Sequence, residues 1–190
     1  MRLTVFFGLS RVHMVVASAK AVQGRSMRRQ NYFVRRAIVS EFLEIAKLDR
    51  EVWGSAEHPE KIPDGEHVWR LWVEYSTVFV ALVEERIVGA ALLFRANDLH
   101  LDWLHKIFVE RDSRNRGIGR ALFSTIAHYL DQSRIDCLLT TAPTNSRMLR
   151  LCEAFGFSEK TFVRGFYRWD EPLFTATSGR SLAMTHGNYV

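Results

Sequence analysis

The clearest pattern in the chain is a pair of apolar runs that are separated by two acidic residues. Residues 77–83 and 86–94 are almost entirely apolar, and Glu84 and Glu85 stand between them. Two strand-like runs joined by a short polar segment are typical of a β-hairpin. The sequence therefore predicts an antiparallel pair of strands in the middle of the chain.

The segment before the hairpin predicts one strand and one helix. Apolar Val34 and Ile38 alternate with charged residues over residues 32–38, which is the two-residue period of a strand. Ser40 then stands where a helix N-cap is expected, and apolar residues recur on one side as far as residues 53–54. We expect the first helix between these points.

A loop and a second helix lead into the hairpin. Residues 54–66 contain two prolines and two glycines, which favours an irregular connection. Residues 67–75 predict a short helix in which Trp69 lies off the main stripe, free to line a pocket or to cover a surface. The stripe expected to face the core comprises Val68, Leu71, Trp72 and Tyr75.

The second half of the chain alternates strands and helices. A strand follows the turn at residues 97–98, and residues 135–140, 157–163 and 173–177 predict three more. Gly156 is expected to end the last helix in the left-handed conformation. The apolar stripes of the two helices comprise Ile118, Leu122, Phe123, Ile126, Ala127 and Leu130 in the first, and Met148, Leu151, Cys152 and Phe155 in the second.

The turn before the first of these helices carries the candidate chemistry. Glycines at positions 117 and 119 let the backbone approach a ligand closely. The first turn of the helix offers N–H groups that lack intrahelical acceptors, and its dipole favours an anion. The sequence therefore predicts a phosphate cradle. Its field is strengthened by four arginines, which are Arg111, Arg114, Arg116 and Arg120.

Two common phosphate motifs do not fit this turn. A Walker loop requires Gly-Lys-Ser/Thr, and a dinucleotide fingerprint requires Gly-x-Gly-x-x-Gly at the start of a βαβ unit. Residues 114–119 instead read Arg-x-x-Gly-x-Gly. This pattern resembles the acetyl-CoA pyrophosphate turn of the GNAT superfamily of N-acetyltransferases.

A second motif extends this resemblance. Residues 145–157, NSRMLRLCEAFGF, follow the superfamily signature Asn-x-x-Ala-x-x-Leu-Tyr-x-x-x-Gly-Phe, with Met148 in the Ala place and Cys152 in the Tyr place. The predicted order β-α-α-β-β-β-α-β-α-β-β is also similar to that of the superfamily. Over about residues 31–177, the resemblance implies an α/β fold of the GNAT type. Such a fold has a mixed six- or seven-stranded central sheet with splayed parallel central strands, flanked by about four helices.

The resemblance implies acetyl-CoA as cosubstrate and no metal. In this superfamily the pantetheine arm lies between the splayed strands and pairs with the backbone of one of them. Main-chain N–H groups of the turn hold the pyrophosphate. The implied cofactor-binding residues are Ile107, Phe108 and Val109 on the strand, Arg114, Asn115, Arg116, Gly117, Ile118, Gly119 and Arg120 at the turn, and Asn145 at the start of the second motif.

Acetyl transfer to an amine also needs a base at the acceptor end of the cleft. His105 lies two residues before the strand triplet, and a reference pKa of about 6.5 suits proton removal at neutral pH. Arylalkylamine N-acetyltransferases, members of the superfamily, are similar along this segment and place one of two functional histidines here. Their other histidine falls on Trp103. We expect His105 to be the base, while a histidine satisfied by local hydrogen bonds fits the sequence equally well.

The acid that protonates the leaving thiolate is less clear from the sequence. The superfamily usually employs the Tyr that Cys152 replaces, and a thiol is a chemically possible acid with a shorter side chain. Three interpretations follow: Cys152 acts through water, Cys152 is inert core, or CoA departs as the thiolate. Inert core is the interpretation we favour, and Cys152 remains the second candidate catalytic residue beside His105.

The implied function is an acetyl-CoA-dependent transfer to a primary amine, by direct attack in a ternary complex. The acceptor is a small amine or a protein or peptide N-terminus. Residues 164–167 resemble the Arg-x-Tyr-Tyr of N-terminal protein acetyltransferases. The alternative is a regulatory module that binds acetyl-CoA without turnover. Side chains that could shape an aromatic acceptor site are Trp53, Trp69, Trp72, His58 and His67.

Charge and cysteines bear on the remaining partners and on the compartment. The formal net charge is +5, but residues 1–30 hold six basic side chains and no acid, so residues 31–190 sum to −1. A basic face across the domain is therefore not expected, nor is nucleic acid as a partner. No apolar run is long enough to predict a membrane span. Cys137 and Cys152 lie in apolar segments, which indicates reduced thiols in a cytoplasmic protein. We expect the protein to be a monomer or a homodimer.

The basic leader of residues 1–30 allows several interpretations. Its acid-free composition would suit a transit peptide, residues 17–19 resemble a signal cleavage site, and Met27 is a possible alternative start. We favour a disordered or dispensable leader, an acetyltransferase domain over residues 31–177 and a mobile tail over residues 178–190.

Overall fold

A seven-stranded mixed sheet organises the protein in a computed structural model, which describes residues 32–54, 63–96, 100–164 and 172–178. The predicted leader, most of the tail and most of the loop at residues 54–66 lie outside the described residues. The strands are β1 (Tyr32–Arg36), β2 (Thr77–Val83), β3 (Arg86–Arg95), β4 (Leu101–Val109), β5 (Asp136–Thr141), β6 (Phe157–Arg164) and β7 (Pro172–Ser178). The helices are α1 (Phe42–Trp53), α2 (Glu66–Tyr75), α3 (Ile118–Ser133) and α4 (Ser146–Ala154).

The strand order is β1-β2-β3-β4-β5-β7-β6, and β4 and β5 are the one parallel pair among the described strands. The predicted hairpin is confirmed, since β2 and β3 pair from Thr77↔Leu93 to Val83↔Arg86. Glu84 and Glu85 both adopt positive φ angles, 49° and 67°, at the turn. Two successive positive φ angles give the tight turn whose twist matches that of the strands it joins.

Two apolar layers cover the sheet. On one face, α3 packs its predicted stripe against β1–β4, and Leu122, Phe123 and Ile126 are fully buried there. On the other face, α1 and α2 pack against β2–β4 around Ile45, Trp69 and Leu92. The central part of the sheet, which includes β4, is therefore covered by helices on both faces. Among the described helices, none is long and apolar enough to cross a membrane.

The predicted face of α2 was wrong. Trp69 and Val73 are its buried residues, whereas Leu71 and Tyr75 are 55% and 76% exposed. A hydrogen bond explains why Trp69 is buried: its indole N–H donates to the buried carboxylate of Asp49 in α1 at 3.2 Å. Satisfying that carboxylate turns the tryptophan inward, which leaves Leu71 and Tyr75 at the surface and Trp72 half-buried.

The predicted N-cap of α1 was also wrong. A short 3₁₀ turn, Val39–Glu41, precedes the helix, and Ser40 is exposed without capping it. The Glu41 carboxylate instead accepts a hydrogen bond of 2.9 Å from the Ile38 N–H and bonds the guanidinium of Arg35. The first strand accordingly ends at Arg36, two residues earlier than expected.

The central parallel strands separate along their length. β4 pairs with β5 only from Leu101↔Asp136 to Leu104↔Leu139, although β4 continues to Val109 and β5 to Thr141. Beyond Leu104, none of the described strands pairs with the edge of β4 that faces β5. We call this opening the gap; it is the splay that the sequence resemblance implied.

Candidate active site

A β-bulge lies where the gap begins. Leu92 of β3 pairs with Lys106 and Leu93 pairs with Leu104, so His105 has no partner in the register. Bulges occur next to active sites because the extra residue redirects side chains. Here both His105 and Lys106 contact the Trp72 ring, at 5.8 Å between ring centroids and 6.0 Å from Nζ to the centroid. The bulge therefore directs two successive side chains to the α1/α2 face.

His105 lies against aromatic rings and remains exposed on its other side. Its ring centroid is 5.3 Å from that of Phe94, in addition to the contact with Trp72. The pKa of His105 is lowered, first by desolvation and then by the positive charge of Lys106, while Asp64 and Asp49 oppose the shift. At neutral pH the imidazole is therefore unprotonated, as a proton acceptor must be.

The peptide groups along the gap alternate in direction. Glu110 donates its N–H to the Val88 carbonyl of β3 at 2.8 Å. Hydrogen-bonded and non-hydrogen-bonded positions alternate in an antiparallel pair. The backbone N–H and C=O of Phe108 therefore also point toward β3, whereas those of Ile107 and Val109 point toward the gap. The Phe108 side chain is buried against Trp53 and Trp69. Of the three predicted strand residues, two thus present backbone to a ligand in the gap and one fills the core.

The gap leads directly to the glycine turn. Gly117 occupies the N-cap position of α3 with φ of 85°, a conformation that favours glycine. Ala121 makes the first helical hydrogen bond, to the Gly117 carbonyl at 2.9 Å, so the amide groups between them lack intrahelical acceptors. A Cβ at position 119 would meet only the Val109 side chain, at 3.9 Å. The first turn of α3 is therefore open to an anion.

The four arginines have different surroundings. Arg114 donates from Nε to the Val109 carbonyl at 3.0 Å, and Arg120 stacks on the Phe155 ring at 5.4 Å. Arg111, Arg116 and Arg120 are exposed. A positive field thus surrounds the turn, while Arg114 is partly used to hold the end of β4.

The two asparagines predicted to bind cofactor connect the turn to α4. Asn145 caps α4, since its side chain accepts a hydrogen bond of 3.1 Å from the Met148 N–H. Asn115 has φ of 63°, and its side-chain oxygen accepts a hydrogen bond from Arg147 in the first turn of α4. These contacts fix the position of the glycine turn relative to α4.

Cys152 is buried in the core on the α3 face. It has no exposed surface, and the same apolar cluster contains Cys137, Phe123 and Phe157. Burial raises the pKa of the Cys152 thiol to about 11 and that of Cys137 to about 12. The structure thus separates the two predicted catalytic residues, because His105 faces the α1/α2 side of the sheet and Cys152 the α3 side.

A buried ion cluster beside His105 was not predicted. Lys106 Nζ contacts both carboxylate oxygens of Asp49, at 3.0 and 3.1 Å, and also bonds Asp64. Two signals in the sequence point to it. Asp49 interrupts the apolar stripe of α1, and the polar pair His105 and Lys106 breaks the alternation of β4.

Other predicted acceptor residues are only partly described. Trp53 and Trp72 are half-buried against the α1/α2 core, and His67 is exposed. His58 and residues 165–167 lie outside the described residues. Within the described ranges, no three His, Cys, Asp or Glu side chains converge as metal ligands would.

The fold and the sequence define one class of protein. Residues 40–157 match the acetyltransferase (GNAT) family, a match that spans more than half of the chain. The chain therefore belongs to this family, and the predicted membership, with its N-acetyltransferase class and its fold, is confirmed. No curated protein matches the chain in sequence.

Solved structures show the same fold. The ribosomal-protein-S18-alanine N-acetyltransferase of Escherichia coli superposes with a TM-score of 0.66 at 17% identity, covering 84% of this chain and 100% of that one. A Salmonella typhimurium protein assigned as an acetyltransferase, solved with acetyl-CoA, gives 0.66 at 15% identity over 80% and 96% of the chains. Diaminobutyrate acetyltransferase of Paenibacillus lautus, solved with L-2,4-diaminobutyric acid and coenzyme A, gives 0.63 at 20% identity over 77% and 95%.

Proposed function

We propose that the protein transfers the acetyl group of acetyl-CoA to a primary amine by direct attack in a ternary complex. The observation that carries the proposal is the continuous path from His105 at the bulge, along the gap-facing peptide groups of β4, to the first turn of α3. One end of this path suits a proton acceptor and the other an anion. Acetyl-CoA, which joins a thioester to a pyrophosphate by an extended arm, has this arrangement of groups.

The cofactor-binding residues divide into three roles. Ile107 offers its peptide N–H and C=O groups to the pantetheine amides, as an added strand would, and Val109 offers its N–H, since its carbonyl already accepts from Arg114. Phe108 holds β4 in place from the core. The turn residues Arg114, Asn115, Arg116, Gly117, Ile118, Gly119 and Arg120 form the pyrophosphate site, through main-chain N–H groups and positive charge, and Asn145 supports that turn from α4.

His105 is the proposed base. An amine acceptor arrives largely as ammonium, so it must lose a proton before or during attack on the thioester carbonyl. The lowered pKa of His105 keeps the imidazole able to accept that proton at neutral pH. The tetrahedral oxyanion is proposed to be stabilised by a backbone N–H group of β4.

Cys152 is proposed to be core rather than acid. It has no exposed surface, and its thiol lies on the face of the sheet opposite to His105. The CoA sulfur then departs as the thiolate or takes a proton from water.

The acceptor is proposed to be a small amine or the N-terminus of a protein or peptide. The structural relatives include one enzyme of each kind, acting on a ribosomal protein alanine or binding diaminobutyric acid. We therefore propose a test panel of diamines, amino acids, aromatic amines and short peptides with N-terminal alanine, with thiol release as the readout.

The experiment that tests the proposal compares wild type with His105→Ala on the best acceptor of the panel. The variant is expected to lose about 100-fold in kcat, within the usual contribution of general base catalysis, with little change in the affinity for acetyl-CoA. Near-normal kcat at every pH would remove His105 from the mechanism. Tight acetyl-CoA binding without acceptor-dependent thiol release from wild type would instead favour a regulatory module.

A further inference from the structure

The ion cluster beside the bulge connects four parts of the protein. Lys106 of β4 lies at its centre, and Asp49 of α1 accepts hydrogen bonds from Lys106, from the Trp69 indole of α2 and from the Asp64 backbone N–H at 2.8 Å. The Asp64 carboxylate, just before α2, bonds Lys106 as well. Four chain segments are therefore fixed to one another through a single ammonium group and a single buried carboxylate.

Burial makes this cluster costlier to break than a surface ion pair. The Asp49 side chain has no exposed surface, and that of Lys106 is 13% exposed. Nζ also lies 5.8 Å from the centroid of Trp69 and 6.0 Å from that of Trp72, which places the cation against both rings. A buried, hydrogen-bonded and matched charge pair holds its geometry closely, because moving either partner leaves an unpaired charge in the interior.

The geometry of the bulge makes this rigidity relevant to His105. The histidine has no partner on β3, so the ladder does not fix its backbone. Its next residue in sequence is Lys106, and both side chains contact Trp72. The position of the imidazole is thus set from two sides by the same cluster, through the adjacent peptide bond and through the shared tryptophan.

We propose that Lys106 is a positioning residue for acetyl transfer: held by Asp49 and Asp64, it fixes the bulge and presents His105 to the gap. The inference rests on the proposed role of His105 as base. Lys106 does not itself take part in proton transfer, because its ammonium group is occupied by two carboxylates away from the gap-facing peptide groups.

Two variants separate positioning from charge. Lys106→Met keeps the length of the stem and removes the ammonium group, leaving Asp49 buried and unpaired. The double variant Lys106→Met/Asp49→Asn removes one positive and one negative charge together, and the new amide still accepts from Trp69. The cluster of Lys106, Asp49 and Asp64 then keeps its formal charge of about −1, by simple counting of ionised groups. A loss of activity in the double variant therefore reports geometry.

We expect the double variant to fold and to lose about tenfold in kcat, the scale of small misplacements of catalytic groups, with KM for acetyl-CoA unchanged within about twofold. The acid limb of its pH profile should move little. In the single variant, two unpaired carboxylates face His105, so the acid limb should move to higher pH. The matched control is Lys47→Met, which removes an exposed lysine whose partner Glu51 is 3.9 Å away and should leave both profiles as in wild type.

The imidazole of His105 provides a readout that needs no turnover. Its ring resonances, assigned with His105→Ala, lie in the shielding field of Trp72 and should shift in the double variant. Wild-type kcat together with unshifted ring resonances in the double variant would overturn the inference. If His105→Ala keeps normal kcat while those resonances do shift, the proposed base is wrong: Lys106 then fixes the bulge, but that geometry does not serve acetyl transfer.

Discussion

Gly89 of β3 offers a sharp test of how closely the sheet is packed beside the gap. It pairs with Val109, the last residue of β4, whose peptide group faces the gap. A Cβ added at this position would lie 2.9 Å from the Phe108 carbonyl oxygen and 3.3 Å from side-chain atoms of both Leu122 and Val109. Gly89→Ala must therefore displace β4 or α3.

The expected cost follows from the atoms in the way. The nearest is a backbone oxygen of a central strand, which cannot swing aside as the end of a flexible side chain would. Overpacking of this kind typically costs about 1–3 kcal/mol, so we expect Gly89→Ala to lower the free energy of unfolding by about 2 kcal/mol. For a protein of this size, that corresponds to a fall in Tm of roughly 4–8 °C.

Urea unfolding and calorimetry of wild type and Gly89→Ala measure this effect, and steady-state kinetics measure its functional part. Because the displaced strand borders the gap, KM for acetyl-CoA should rise more than kcat falls. For stability, Gly119→Ala is the matched control, since its Cβ would make one ordinary contact at 3.9 Å inside a helix. Its Tm should equal or slightly exceed that of wild type. It does not serve as a control for KM, because Gly119 belongs to the proposed pyrophosphate site.

The reasoning is refuted if Gly89→Ala unfolds at the wild-type midpoint with an unchanged m-value. Such a result would mean that the Phe108 carbonyl oxygen lies farther from Gly89 than the 2.9 Å contact implies, so that a methyl group fits without displacing β4. A change in Tm no larger than that of Gly119→Ala would point the same way, because Gly89 has far less space for a methyl group than Gly119.

Three further predictions concern the site. Activity should need unprotonated His105, whose pKa is lowered, so the acid limb of kcat/KM should have its midpoint below the reference value of about 6.5 and activity should disappear as pH falls through it. Cys152→Ala should keep more than about a tenth of wild-type kcat, and Cys152 and Cys137 should react with a thiol reagent only on unfolding, because burial raises both pKa values. Gly117→Ala should weaken acetyl-CoA binding in calorimetric titrations, since φ is 85° there and the new Cβ would lie 3.1 Å from the Tyr32 hydroxyl.

Each of these has a plain contrary outcome. An acid limb centred above the reference pKa would show that His105 is not the group that titrates, or that its surroundings favour the cation. A loss of kcat greater than about tenfold in Cys152→Ala at constant KM would restore the thiol as an acid. Fast labelling of the native thiols, or unchanged affinity in Gly117→Ala, would contradict the packing around α3.

The hairpin and the conformation of the glycine turn could be predicted because their causes are local. The hairpin follows from two apolar runs on either side of Glu84 and Glu85. The apolar residues of α3 recur with the helical period along the whole helix. The glycine turn needs no distant contact either, since Gly117 and the start of α3 by themselves leave N–H groups without intrahelical acceptors.

The features that could not be predicted from the sequence depend on residues far apart in the chain. The face of α2 could not be chosen from its own pattern, because apolar residues occur all around it and the buried carboxylate that orients Trp69 comes from α1. The bulge arises from a mismatch between β3 and β4, which neither strand reveals alone. The pairing of Lys106 with Asp49 spans 57 positions, and only the folded sheet brings them together.

The short parallel ladder between β4 and β5 has a mechanical consequence. Four residue pairs hold β1–β4 to β5–β7, and past Leu104 the two halves of the sheet share no backbone hydrogen bonds among the described strands. On the proposed function, acetyl-CoA bound along β4 would take the place of a missing strand between the two halves. Amide hydrogens on both sides should then exchange more slowly, and the apparent stability should rise with ligand concentration as mass action requires. We therefore expect product release to separate these strands again at each turnover, which would make the stiffness of the sheet one determinant of the release rate.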